Sequence, residues 1–401
     1  MRNLPAILIS VALLAAPAAA SEAVPEPEPP TEPEQPMVEV AFVLDTTGSM
    51  SGLIAGAKAK IWFIANQIVT AEPKPHVRIA LVPYRDKGDE YVTKVFDLTD
   101  NIDQVYTDLM GFSAAGGGDT PENVNQALHD AVNKLSWSED ESTLRIIYLV
   151  GDCPPHNEYE DVPTYDKIAY QAINEKDIYI NTILCGNHGE AMKIWQEIAR
   201  RAEGSFAQID QSGGVETIAT PFDDKLGELN AALAETNVYY GDSEARARQA
   251  DMDERLKHME RPAAADRAGF VAEAGEGRAS AALGTPSDAP GGLRDLVDAM
   301  REETLDVRGL DEELLPEEMR EMTPAEREAY IAENQARRDE ILTQIRELSE
   351  KRADFQRKAM EERAEGEDGF DATVVRQLRE QATRKGLTYE DADTPGDEPT
   401  E

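Results

Sequence analysis

Oxygen-bearing side chains follow an apolar run near the N-terminus of this 401-residue chain. In the stretch VAFVLDTTGSM, Asp45, Thr47 and Ser49 come at intervals of two residues. Two later segments, GGGDTPEN and LVGDCPPH, contain Thr120 and Asp152. Two carboxylates and three hydroxyls supply five oxygen ligands of low total charge, which suits a hard divalent cation. Because such a cation keeps residual positive charge, we predict that an acidic group of a partner completes its coordination.

Each of these residues alone has a simpler interpretation. Asp45 and Thr120 are of residue types that commonly cap a helix N-terminus, and Asp152, which lies before two prolines, could only shape a turn. Three such features at three predicted strand ends agree better with one shared site. We therefore predict a metal site with the ligands Asp45, Thr47, Ser49, Thr120 and Asp152.

The elements that must position these residues alternate along the chain. Apolar runs such as VEVAFVLD, VRIALVPYRD, LRIIYLVGD and IYINTILCG predict buried strands, and amphipathic stretches between them predict helices. This alternation predicts an α/β fold, a doubly wound, mostly parallel sheet with helices on both faces. Ligands bind outside the carboxyl ends of the strands in such sheets. Thr120 is expected at a helix N-terminus, with Pro121 in the first turn.

Over residues 37–240 this pattern resembles the von Willebrand factor A (VWA) domain, and it is most similar to bacterial exported members. The family's metal-ion-dependent adhesion site consists of Asp-x-Ser-x-Ser, a distant Thr and a distant Asp. The predicted ligands match it, with Thr47 in the place of the usual Ser. The resemblance implies a Rossmann-like, non-enzymatic binding module. It also implies that Mg²⁺, or alternatively Ca²⁺ or Mn²⁺, bridges to an acidic residue of a protein partner.

The two cysteines, Cys153 and Cys185, lie at the ends of two successive predicted strands. Neighbouring strands are about 4.8 Å apart, within the Cα separation of about 4.4–6.8 Å that a disulfide accepts. A disulfide between them and two reduced core cysteines are both compatible with the sequence.

An enzyme is the main alternative to a binding module. The segment DTTGS superficially resembles that of aspartate-nucleophile phosphatases, but those enzymes need a second carboxylate where Thr47 lies. The segment GGGDT lacks the Gly-Lys-Ser/Thr of a phosphate-binding loop. We therefore expect no enzymatic activity and retain a metal-dependent phosphotransfer enzyme as the less favoured hypothesis.

The first 20 residues have the pattern of a cleaved secretory signal peptide, with Arg2, an apolar stretch, and small residues at Ala18 and Ala20. No later segment is apolar enough to span a bilayer. We expect an exported protein, periplasmic or extracellular, without a membrane span after cleavage. Residues 21–36 alternate Pro and Glu, which predicts a stiff linker. The net charge of −39 argues against nucleic-acid and anionic-membrane partners.

After residue 240 the strand signals disappear. Residues 241–290 predict a helix and a flexible linker, 291–386 an all-α, partly coiled-coil region, and 387–401 an acidic disordered tail. Thr323 and Glu326 form the capping box of a long helix. Its apolar seam, which Arg338 and Arg352 interrupt, consists of Ile341, Ile345, Leu348 and Phe355. This region predicts self-association through helices, or a scaffold of the cell envelope, as a further alternative.

Overall fold

The computed structural model describes residues 36–118, 120–211, 218–273, 294–301, 305–362 and 370–389. The predicted signal peptide, nearly all of the Pro/Glu linker, most of the flexible linker and the tail beyond residue 389 lie outside these residues. Within the described ranges, no helix combines the length and the apolar character that crossing a membrane requires.

A six-stranded sheet lies at the centre of the fold. Its strands are β1 (Met37–Asp45), β2 (His76–Tyr84), β3 (Phe96–Thr99), β4 (Leu144–Gly151), β5 (Ile178–Cys185) and β6 (Phe206–Ile209). Their order is β3-β2-β1-β4-β5-β6, and only β3 is antiparallel to its neighbour. The predicted mostly parallel sheet is therefore confirmed, and the carboxyl ends of β1 and β4 lie side by side.

Helices cover both faces of this sheet, as predicted. Those that follow its strands are α1 (Ser51–Val69), α2 (Ile102–Met110), α3 (Val124–Lys134), α4 (Tyr165–Lys176), α5 (Gly189–Arg201) and α6 (Asp223–Ala234). Residues on β1 alternate between two cores, so that Phe42 packs in one with α1 and Val43 packs in the other with α3, α4 and α5. Strands buried on both faces explain the nearly continuous apolar runs of the sequence.

The chain after the sheet is almost entirely helical. Its helices are α7 (Ser243–Lys257), α8 (Arg261–Glu273), α9 (Leu296–Arg301), α10 (Glu317–Arg320), α11 (Pro324–Glu362) and α12 (Phe370–Ala382). A two-residue antiparallel pair, β7 (Tyr239–Tyr240) with β8 (Arg294–Asp295), is the exception within the described part. The predicted capping box of α11 is confirmed, since Thr323 and Glu326 bond to each other's backbone N–H groups.

The long helix α11 packs against helices of its own chain. It contacts α6 and α8, and Ile341 and Ile345 of the predicted seam are buried in the same core as Phe42. Phe355, at the other end of the seam, is exposed. The seam was predicted as a surface for a coiled coil, but most of it is covered within the chain.

The arginines that interrupt the seam are buried ion-pair partners. Arg338 contacts Asp295 at 2.6 Å and Asp298 at 2.7 Å, and Arg352 contacts Asp223 at 2.7 Å. Their interpretation as defects of an apolar seam was wrong, because each guanidinium finds its carboxylate on another element. These arginines attach α11 to the segments that carry the acids.

The first residues of the predicted acidic tail also belong to the folded part. Leu387 is buried in the core that contains Phe42, and Thr388 forms an antiparallel bridge with Glu72. The ordered chain therefore extends past residue 386, where the sequence predicted disorder to begin.

Candidate metal centre

Asp45 forms the buried base of the candidate site. It is the last residue of β1, and its side chain has no solvent-exposed surface. Its Oδ1 accepts hydrogen bonds from the Thr47 backbone N–H at 2.8 Å and from the Thr47 hydroxyl at 2.7 Å. Its Oδ2 is buried without a hydrogen-bond donor among the described residues. One oxygen thus shapes the loop and the other is available to a ligand.

Thr47 and Ser49 extend from this base to the surface. A short 3-10 turn, Gly48–Met50, brings their hydroxyl oxygens to 3.3 Å from each other. Thr47 is buried, whereas Ser49 is exposed. Met50 is buried below the turn and anchors it in the core. The two-residue spacing of the sequence therefore places three oxygen-bearing side chains in a row that runs from the buried Asp45 to the exposed Ser49.

Asp152 follows the end of β4, next to the end of β1. Its Oδ2 accepts a hydrogen bond from Gln211 Nε2 at 2.8 Å, and its buried Oδ1 has no donor in the described part of the chain. The preceding Gly151 permits this approach, because a Cβ there would collide with the Tyr84 hydroxyl and lie 3.1 Å from Asp45 Cβ. Asp45 and Asp152 are thus brought together at one edge of the sheet.

The glycine-rich loop before α3 lies against the Asp45 loop. The Gly48 N–H donates to the Gly116 carbonyl at 3.2 Å. Gly117 has a φ of +81°, and a Cβ there would lie 3.3 Å from both Thr47 Cβ and Glu122 Oε1. Only glycine adopts this conformation without strain, so the glycine run explains how the loop fits between these two side chains.

Thr120 does not begin a helix, and its role as a ligand stays a prediction. It lies in an exposed bend, and within the described residues its hydroxyl makes no hydrogen bond to Asp45, Thr47, Ser49 or Asp152. The expected helix start at Thr120 is wrong, since α3 begins at Val124.

Backbone pairing of the neighbouring Glu122 explains the later helix start. The Glu122 N–H donates to the Pro154 carbonyl at 3.0 Å, and the His156 N–H donates to the Glu122 carbonyl at 3.1 Å. Residues before α3 therefore pair with the loop after β4, and Asn123 caps the helix instead. The loop that carries Thr120 is thus held beside the Asp152 loop.

Glu122 is an acidic residue of this site that sequence reasoning missed. Its side chain is 2% exposed, and its Oε2 has no hydrogen-bond donor among the residues that the structure describes. The segment DTPEN contains this acid two residues after the predicted Thr120, but an acid in a polar loop is usually exposed. Only the tertiary pairing with Pro154 and His156 buries it.

Burial and repulsion from nearby acids raise the pKa values of Asp45 and Glu122. Burial, with a smaller contribution from Asp152, raises the pKa of Asp45 to about 7, although the hydrogen bonds from Thr47 oppose this shift. Burial and the nearby Asp45, Asp86, Asp89 and Asp152 raise the pKa of Glu122 to about 9. The metal-free site therefore disfavours the ionised forms of both groups.

Arg85 is a buried cation beside the Asp45 loop. Its Nε donates to the Thr46 carbonyl at 3.1 Å, and its guanidinium also donates to the Ser113 carbonyl at 2.8 Å. It thus supports the Asp45 loop and the glycine-rich loop, and it lowers the pKa of Asp45 without cancelling the effect of burial.

Both cysteines are free thiols in the structure, so the disulfide alternative is not realised. Gly151 pairs with Leu184 in the β4–β5 register, so the next residues to meet are Asp152 and Cys185. Cys153 is one residue further on, and side chains one residue apart on a strand point to opposite faces. Cys185 is buried in the core with Phe42.

The donor set fits a hard divalent cation. Two carboxylate oxygens, Asp45 Oδ2 and Asp152 Oδ1, are buried without donors in the described structure, and the Thr47 and Ser49 hydroxyls lie beside Asp45. Within the described ranges, no group of three or more His, Cys, Asp or Glu side chains is arranged to hold one metal. A site of two carboxylates and several hydroxyls does not require such a group.

Comparison with known proteins agrees with this fold and arrangement. Residues 39–221 match the family model of the von Willebrand factor A domain. This range, slightly less than half of the chain, is a VWA-like domain. It includes the six-stranded sheet and the loops that carry Asp45, Glu122 and Asp152.

Two curated proteins contain segments similar to this VWA domain. An ariadne-like RING finger protein of Acanthamoeba polyphaga mimivirus is 32% identical over 123 residues, which cover 31% of this chain and 12% of that protein. The human von Willebrand factor A domain-containing protein 7 is 37% identical over 97 residues, which cover 24% of this chain and 10% of that protein. The chain thus spans only about a tenth of the length of these relatives.

One solved structure that aligns with part of this chain is proximal thread matrix protein 1 from the mussel byssus, with a zinc-occupied MIDAS motif. It is 15% identical, with a TM-score of 0.36, and the alignment covers 44% of this chain and 42% of the mussel protein.

Proposed function

We propose that the VWA domain of this chain binds a protein partner through a divalent cation. The observation that carries the proposal is the pair of buried carboxylate oxygens, Asp45 Oδ2 and Asp152 Oδ1, which lack donors among the described residues. A buried acceptor without a partner destabilises a fold, and a cation between the two loops removes that cost.

Asp45, Asp152, Thr47 and Ser49 are the residues that would hold the cation, with Thr120 as a further hydroxyl on the adjacent loop. We propose Mg²⁺ as the natural ion, since all donors are hard oxygens, and Ca²⁺ or Mn²⁺ as substitutes. When bound, the cation supplies an electrophilic centre that attracts an acidic side chain of the partner. Ser49 is exposed, so a partner reaches the site from that side.

The test is metal-dependent partner capture by the intact chain. Immobilised wild type, Asp45→Asn and a matched control, Asp251→Asn, are crosslinked to proteins of the cell envelope in Mg²⁺ or in EDTA. Asp251 is an exposed acid of α7, so its removal changes the net charge without affecting the site. We expect wild type and Asp251→Asn to capture the same protein in Mg²⁺. Neither protein should capture it in EDTA, and Asp45→Asn should not capture it in either condition.

Capture that persists in EDTA, or that Asp45→Asn retains, contradicts a metal-bridged interaction. If Mg²⁺ is required but mutation of every acidic residue in the captured segment of the partner has no effect, the cation is present without the proposed acidic bridge.

We propose further that this site binds and does not catalyse. Thr47 occupies the position where an aspartate-nucleophile phosphatase needs its second carboxylate, and its hydroxyl donates to Asp45. Phosphatase and kinase assays in Mg²⁺ should show equal, background rates for wild type and Asp45→Asn. A rate that Asp45→Asn abolishes contradicts the proposal.

We propose from the sequence that the chain is exported, to the periplasm or the exterior. Mass spectrometry of the mature protein should find Ser21 as the first residue. Replacement of Ala18 and Ala20 by bulky residues should leave the precursor uncut. A cytosolic product that starts at Met1 contradicts export.

A further inference from the structure

Glu122 is a buried acid that the proposed ligand set does not use. Its carboxylate is 2% exposed, and none of the described residues donates a hydrogen bond to its Oε2. A buried, unpartnered carboxylate is costly, so its presence here requires an explanation that the fold alone does not supply.

The position of Glu122 links it to the cation site. A Cβ on Gly117 would lie 3.3 Å from both Glu122 Oε1 and Thr47 Cβ, so the carboxylate and the Thr47 side chain border the same small space. Tyr84 is buried beside the same acids. Burial raises the pKa of its hydroxyl, and the charges of Asp45, Glu122 and Asp152 raise it further. Two backbone hydrogen bonds, to Pro154 and from His156, fix Glu122 beside the loop that follows Asp152.

Direct ligation by all three carboxylates does not fit the geometry. No trio of acidic, His or Cys side chains in the described ranges is arranged to share one metal. Mg²⁺ usually retains several waters when proteins bind it, and carboxylates outside the ligand set commonly accept hydrogen bonds from a metal's first shell. Such a contact would give Glu122 Oε2 the donor that it lacks.

We propose that Glu122 acts from the outer shell of the cation site, where it strengthens cation binding and weakens the carboxylate that completes the coordination. This inference rests on the proposed function. A bound cation favours the ionised form of Glu122, which burial disfavours in the metal-free protein. Ionised Glu122 then adds its negative charge to those of Asp45 and Asp152, which holds the cation more firmly and repels an incoming carboxylate. Glu122 thus lowers the affinity of the loaded site for the carboxylate of the partner.

The experiment compares wild type with Glu122→Gln, which keeps the shape and removes the charge. Mn²⁺ affinity of the intact chain is measured by electron paramagnetic resonance of the free ion. Acetate, as the carboxylate probe, is then added to the Mn²⁺-saturated protein, and its binding is measured from the relaxation of its methyl protons.

We expect the two affinities to move in opposite directions. The dissociation constant for Mn²⁺ should rise by about 10- to 100-fold in Glu122→Gln, and that for acetate should fall by about tenfold. Glu160→Gln, which removes an exposed acid from the loop after β4, is the matched control and should leave both constants unchanged.

A purely structural role predicts something else. If Glu122 only supports the loop, Glu122→Gln should alter thermal unfolding in EDTA and either leave both constants unchanged or weaken both. Glu122→Asp keeps the charge, so it should change both constants less than Glu122→Gln does, and it serves if the amide variant fails to fold.

The outcomes separate this inference from the proposal on which it rests. Wild-type protein that binds no Mn²⁺ overturns the proposed function, and this inference with it. Wild type that binds Mn²⁺, with Glu122→Gln unchanged in both affinities or weakened in both, overturns only the role of Glu122.

Discussion

Asp45, Asp152 and Glu122 each retain one buried carboxylate oxygen without a donor in the described part of the molecule. The other oxygens of two of these acids accept hydrogen bonds that fix their orientation. Thr47 donates to Asp45, and Gln211 donates to Asp152. At the scale of single residues, the loops therefore orient the acids without neutralising them. This arrangement favours a cation and destabilises the metal-free protein.

Asp45→Asn should remove the dependence of the thermal stability of the protein on divalent metal. At pH 7 in EDTA the variant should unfold at the same temperature as wild type or higher, because burial disfavours the carboxylate that it removes. Metal at about 100 times its dissociation constant should stabilise wild type by about 2.7 kcal/mol and the variant not at all. Differential scanning calorimetry with and without Mg²⁺ measures both effects. Equal stabilisation of the two proteins would show that Mg²⁺ binds elsewhere.

Gly151→Ala should damage both the fold and the site. The added methyl group meets the Tyr84 hydroxyl, Asp45 and Trp195, and overpacking of this kind costs about 1–3 kcal/mol. Gly189→Ala, at the first residue of α5 with open space around it, is the control and should be neutral or slightly stabilising. Urea unfolding and Mn²⁺ binding test the pair. A Gly151→Ala variant as stable as the control would mean that the two strand ends separate easily.

At the scale of elements, the sequence pattern correctly predicted the strands and the helix cap that depend on neighbouring residues. The apolar runs of β1, β4 and β5 and the capping box of α11 were predicted from residues a few positions apart. The start of α3 was wrong because its upstream residues pair with Pro154 and His156, about 32 positions along the chain. Asp45, Thr47 and Ser49 share one loop and were found together, whereas the burial of Glu122 depends on that distant pairing.

The two arginines of α11 show the same limit. An arginine in an apolar seam predicts a defect unless its partner is known, and the partners of Arg338 and Arg352 lie on distant segments. Burial raises the pKa of Asp298 to about 6, although the guanidinium of Arg338 opposes the shift. Both acid and base are costly to bury alone, so the pair must be kept or removed together.

Arg338→Ala should therefore destabilise the protein strongly. It removes the cation at 2.6 Å from Asp295 and at 2.7 Å from Asp298, and leaves Asp298 with Arg301 at 3.9 Å, at a cost of about 3–5 kcal/mol. Arg337→Ala is the matched control on the same helix, because Arg337 also pairs with an acid, Glu235, but both side chains are about half exposed. That change should cost at most about 1 kcal/mol. Equal costs in chemical unfolding would show that the Arg338 pair is not effectively buried.

At the scale of the whole molecule, the helices after residue 240 complete the core of the VWA domain. Trp62 of α1 packs against Phe270 of α8, with ring centroids 5.6 Å apart. Arg267 of α8 binds Asp103 of α2 through two hydrogen bonds, and all three elements share one apolar core. The sequence predicted separate segments, because a helix that packs on a distant helix has the same pattern as one that packs on a second chain.

Residues 37–240 alone should thus be less stable than the described chain. Removal of the later helices exposes Trp62 and leaves Asp103 without Arg267, and each large apolar side chain exposed costs about 1.5–3 kcal/mol. We expect the fragment to bind a hydrophobic dye and to unfold at lower temperature than residues 36–389. A fragment with the melting temperature of the longer chain would show that the helices form an independent unit.

The most direct test of the metal-binding account is a calorimetric titration of Mn²⁺ into the intact, EDTA-treated chain, with Asp152→Asn in parallel. Asp152 lies at the end of a fully buried strand, and the amide keeps its shape while losing the charge. The account predicts one cation for each wild-type chain and, for the folded variant, binding weakened by at least about 100-fold. Wild-type protein that takes up no cation, or an Asp152→Asn variant that binds as wild type does, would contradict it.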